Sequence, residues 1–155
     1  MNRILLIISI SIILLNQCSY ERINSPEKKR VSIQEINIEG DNKTAFIIKK
    51  KIMRFSNSDG KNKIILNIDL NQKKEIQEKN IQNQVTKYKL SLNAEVIIKD
   101  LLKGSDIKKT YSSNSIYDVE KRYSDTVNNY KEANKALIEI ILDQILDNLR
   151  IYYSQ

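Results

Sequence analysis

The chain of 155 residues has no histidine and no tryptophan, one cysteine, one proline and three glycines. Without histidine, both the side chain that titrates near neutral pH and the commonest metal ligand are missing, which removes the usual hydrolase arrangements. A single cysteine cannot close an intrachain disulfide, and a zinc site would have to be assembled from carboxylates alone. Gly40, Gly60 and Gly104 stand too far apart to form a phosphate-cradling loop. No constellation of Lys, Tyr, Asp or Glu replaces these devices, so the chain reads as non-enzymatic, with no cofactor and no metal.

Charge is abundant by contrast. The formal net charge is +7 and 29% of residues are charged. A basic field of this size attracts phosphate, whether of nucleic acid or of a membrane. The heavy use of lysine, asparagine and isoleucine is also what an A+T-rich coding sequence produces, so the charge alone does not name a partner. A nucleic-acid reading lacks a stacking platform, because the tyrosines are scattered along the chain.

The lone cysteine has a telling position. Arg3 precedes an apolar run from Ile4 to Leu15, which Asn16 and Gln17 end. That length fits the core of a secretion signal and falls short of the ~20 apolar residues needed to span a bilayer. Leu15-Asn16-Gln17-Cys18 resembles the lipobox of bacterial lipoproteins, with Leu three residues before the cysteine, although Gln17 stands where Gly, Ala or Ser is usual. The resemblance implies cleavage after residue 17, lipid attachment to Cys18, and export. Two or three acyl chains make a stable anchor where one holds only marginally. Residues 18–30, with Pro26 and few apolar positions, read as a linker, and residues 31–155 as a single domain.

Within that domain, Val31, Ile33, Ile36 and Ile38 share one face only if the strand carries a bulge or bend at Gln34-Glu35. Gly40-Asp41-Asn42 supplies a turn and an N-cap, and Ala45, Ile48, Ile52 and Phe55 then recur at helical steps. Lys63 to Leu70 alternates as a half-buried strand; Asn71 to Gln84 is polar, either a connection or an extension of the two strands flanking it. Tyr88 to Ile98 is the clearest period-two run, and Lys108 to Tyr117 a more polar strand suited to an edge. The stripe Tyr130, Ala133, Leu137, Ile141, Ile145, Leu149 and Tyr152 predicts a final helix that packs on a sheet. The expected fold is α+β, two helices on one face of a four-stranded mixed sheet in the order β-α-β-β-β-α.

That order behind a lipobox resembles the LPS-assembly lipoprotein LptE family. The residue-level similarity lies in Cys18 and in the tail, YKEANKALIEIILDQILDNLRIYYSQ, where Ala133, Ala136, Leu142, Gln144, Ile145, Leu149, Tyr152 and Tyr153 match the family's terminal helix. The resemblance implies a lipoprotein on the periplasmic face of the outer membrane. Its domain would plug and help assemble the β-barrel LptD, which carries lipopolysaccharide to the cell surface. Under that role Lys73, Lys74, Lys87 and Lys89 are the candidate contacts to lipopolysaccharide phosphates, as point charges. A lipid-anchored, pilotin-like adaptor of another envelope pore is the alternative.

Overall fold

A computed structural model describes residues 31–153. The expected signal peptide, Cys18 and the expected linker all lie outside the described residues. The elements are β1 (Val31–Glu39), α1 (Asn42–Phe55), β2 (Asn62–Lys79), β3 (Val85–Asp100), β4 (Ser105–Asp118) and α2 (Tyr123–Tyr153). The sheet order is β1-β2-β3-β4, with β1 parallel to β2 and the other pairs antiparallel. This is the expected two-layer mixed sheet with both helices on one face.

The register explains the core. Ile33 pairs with Ile64 and Glu35 with Ile65, so Gln34 is the extra residue of a bulge. Ile36 thereby falls opposite Leu66 and Ile38 opposite Ile68, keeping all the aliphatics of β1 on the helix side. Ile64, Leu66 and Ile68 of β2, and Leu90, Leu92, Ala94, Val96 and Ile98 of β3, are buried beneath Ile48 and Ile52 of α1 and Leu137, Ile141, Ile145 and Leu149 of α2. The opposite face, free of helices, carries Asn67, Asp69, Asn71 and Lys73 on β2 and Lys87, Lys89, Ser91 and Asn93 on β3.

Asp41 caps α1, its Oδ2 accepting from the Thr44 amide at 2.8 Å. Gly40 precedes it at φ +123°, and a Cβ there would stand 2.6 Å from the Leu70 carbonyl oxygen. At the other end of α1, Ser56 Oγ accepts from the Ile33 amide at 2.8 Å and ties the helix back to β1.

Of the two alternatives for the polar segment the structure shows the second, and one detail of the last helix differs from the periodicity. Asn71 to Gln84 is strand for most of its length: β2 and β3 run on past the helices and close through a tight turn, in which Asn80 Oδ1 accepts from the amides of Gln82 and Gln84. In α2 it is Tyr153, not Tyr152, that completes the buried stripe. The reason is a polar anchor. The Tyr153 hydroxyl donates to Asp100 Oδ2 at 3.2 Å, while Asp100 Oδ1 accepts from the amides of Leu102 and Lys103, each at 2.9 Å.

Candidate functional site

Where β2 and β3 leave the cover of the helices, the core-facing positions of β2 change character: Leu70 is followed by Gln72 and Lys74. The N-terminal turns of α1 and the first half of α2 flank this point, and a cleft of about 740 Å³ opens between the three. Its apolar floor is Ile47, Leu90, Ile138 and the ring of Tyr130. Gln72 Nε2 donates to Asn134 Oδ1 at 3.0 Å, joining strand to helix.

Lys43 and Lys51 from α1, Lys74 from β2, and Lys131 and Lys135 from α2 border the cleft, and Lys73 lines its edge from a position that alternation assigns to the helix-free face. Two carboxylates, Asp41 and Glu139, stand against them. Asp41 is occupied by its capping bond, which holds its pKa below the ordinary carboxylate value. Glu139 lies 3.4 Å from Lys51, an exposed pair of little energetic weight. The field inside the cleft is therefore positive. Ammonium groups over an aliphatic floor suit a ligand with an anionic head and an apolar body.

Lys74 is held differently from the rest. Its ammonium sits 3.8 Å from the centroid of Tyr88 and 5.6 Å from that of Tyr117. Tyr88 and Tyr117 stack at 5.7 Å, and Tyr130 meets Tyr117 edge-on at the same separation. The three rings come from β3, β4 and α2. Hydrogen bonding to Tyr117 raises the Lys74 pKa against the smaller opposing effect of desolvation, so Lys74 stays charged throughout the physiological range.

The sequence-predicted residues divide. Lys74 borders the cleft from the core-facing side of β2, and Lys73 lies at its edge on the helix-free side. Lys87 and Lys89 project from the helix-free face, where Lys87 Nζ pairs with Glu78 Oε2 at 2.8 Å and Lys89 stands across the strands from Glu75. The Lys87 pair bonds strongly enough to raise the lysine pKa and lower that of Glu78. Cys18 lies outside the described residues. Sequence reading missed Lys43, Lys51, Lys131 and Lys135. Lys131 and Lys135 are four apart and so share a helix flank, but nothing local says that this flank faces α1.

No family model and no curated protein sequence matches the chain. Solved structures do resemble its fold. An uncharacterized lipoprotein B from Nitrosomonas europaea aligns with a TM-score of 0.61 at 15% identity, over 81% of this chain and 84% of that one. A candidate lipoprotein from Caulobacter crescentus aligns at 0.58 and 8%, over 83% and 93%. A minor lipoprotein from Acinetobacter baumannii aligns at 0.54 and 10%, over 81% and 94%. At these identities the likeness is one of fold.

Proposed function

We propose that this chain is an outer-membrane lipoprotein, anchored through Cys18, that engages the phosphorylated head of lipopolysaccharide in the lysine cleft and serves as luminal plug and assembly partner of the β-barrel LptD. The role is one of binding and assembly, without catalysis. The observation that carries it is the convergence of Lys43, Lys51, Lys74, Lys131 and Lys135, from α1, β2 and α2, over an apolar floor. Phosphate groups on an acylated sugar offer both halves of what the cleft asks for: negative charge for the ammonium groups and hydrocarbon for Ile47, Leu90 and Ile138.

Two further features support the reading. The fold is one found in solved lipoproteins, in keeping with Leu15-Asn16-Gln17-Cys18 at the head of the sequence. The helix-free sheet face is lined mostly with polar and charged residues, asparagine, serine, lysine, aspartate and glutamate, with Ile65 and Ile97 among them, a surface compatible with the polar interior of a large barrel. Purification of the full chain from detergent-solubilised membranes of its own host tests the proposal. A large β-barrel carrying lipopolysaccharide is expected to come down with it in equal amount. Recovery of a different pore, or of the lipoprotein by itself, would contradict it.

A further inference from the structure

The ammonium groups of the cleft are not equally held. Lys74 lies directly across the strands from Leu90, which makes Tyr88 its diagonal neighbour on the same face of the sheet, within reach of a long side chain. Tyr88 in turn pairs with Tyr117 of β4, and Tyr130 of α2 closes on Tyr117 edge-on. The Lys74 ammonium thus rests 3.8 Å from the Tyr88 ring centre, on a shelf built from three elements whose innermost ring, Tyr117, is 5% exposed. Lys131 and Lys135 stand exposed on α2, and among the described residues their ammonium groups have no ion pair, hydrogen bond or ring contact. Lys51 faces Glu139.

A free lysine gives up the freedom of its four-carbon stem when it clamps a phosphate, which weakens binding by up to about tenfold for each side chain immobilised. Lys74 has already lost most of that freedom in the folded protein. The ring faces hold its ammonium by electrostatic attraction and leave the charge intact, so the group still presents N–H donors to the cleft that it lines.

We propose that Lys74 is the specificity-determining phosphate contact of the cleft, and that Tyr88, Tyr117 and Tyr130 are its positioning residues. The inference rests on the lipopolysaccharide reading above and ranks the lysines within it. Lys74 sets the preference for a phosphorylated ligand, whereas Lys131 and Lys135 add a diffuse positive field. At physiological salt such a field is screened beyond about 8 Å, and a direct contact is screened much less.

The test measures binding of purified full-length protein to bisphosphorylated and to dephosphorylated lipid A at physiological salt, in the parent and in single variants. Lys74→Gln is expected to reduce the preference for the phosphorylated form at least about fivefold, and Lys131→Gln or Lys135→Gln, which remove the same charge, less than about twofold. Tyr117→Phe keeps the ring and the Lys74 charge but removes the hydrogen bond between them, and Tyr88→Leu removes the shelf; each should fall between these limits. Tyr117→Phe alone decides this arm if Tyr88→Leu does not fold. In the proton NMR spectrum of the ligand-free protein, the Lys74 ε-methylene signals, identified by their disappearance in Lys74→Gln, should lie upfield through the Tyr88 ring current. A parental preference that Lys74→Gln and Lys131→Gln weaken equally, or unshifted Lys74 signals, overturns the inference and leaves the lipopolysaccharide reading standing. No preference in the parent overturns both.

Discussion

Asp100 and Tyr153 show how one buried polar pair sets a chain end. Burial, the largest influence on Asp100, pushes its pKa up, but the amides of Lys103 and Leu102 and the Tyr153 hydroxyl together outweigh it and leave the carboxyl below its ordinary value. A carboxyl with a depressed folded-state pKa contributes stability that is complete above its unfolded value near 4 and lost as pH falls through the folded value. Asp100→Asn is therefore expected to lower stability by about 1 to 3 kcal/mol at pH 7, because the neutral amide gives up the charge-assisted bonds from the two backbone amides and forces the Tyr153 hydroxyl to turn from donor to acceptor. The gap to the parent protein should narrow below about pH 4, in urea titrations run across the pH range. A gap that widens in acid would refute the assignment. Periodicity chose Tyr152 over Tyr153 because both lie at a helical step from Leu149, and only the distant Asp100 decides between them.

At the scale of the element, most of the fold was legible. The odd spacing between Ile33 and Ile36 required a bulge, and Gln34 is that bulge. Alternation from Tyr88 to Ile98 fixed a strand with one dry face, and the stripe from Ala133 to Leu149 fixed the helix that covers it. The hairpin beyond Leu70 is ambiguous in sequence between connection and strand, because once the helices end neither face is buried and the period-two signal fades. Gly40 marks where β1 hands over to α1. Gly40→Ala meets both a positive φ and the Leu70 carbonyl, and should cost more than about 1 kcal/mol in chemical denaturation. A neutral result would mean that the β1–α1 junction moves freely against β2.

For the whole molecule, the distinctive chemistry is the cleft, where lysines gather over an apolar floor between α1, β2 and α2. It was only half legible in the sequence. Lys73 and Lys74 stood out in a polar segment, but Lys43, Lys51, Lys131 and Lys135 belong to helices whose relative placement is a property of the packed sandwich and not of either helix. Lys87 and Lys89 looked equivalent to Lys74 in sequence. Alternation sends them to the other face, and the Lys87–Glu78 pair already answers one of those charges.

The cleft is tested most directly by comparing the binding of purified protein to bisphosphorylated lipid A and to its fully dephosphorylated form at low and physiological salt. The phosphorylated form should bind at least about tenfold more tightly, with the preference weakened by salt, abolished in the triple variant Lys74→Glu, Lys131→Glu, Lys135→Glu, and kept in Lys87→Glu. Equal affinity for the two lipids, or a preference that survives the triple variant and disappears in Lys87→Glu, would contradict the account.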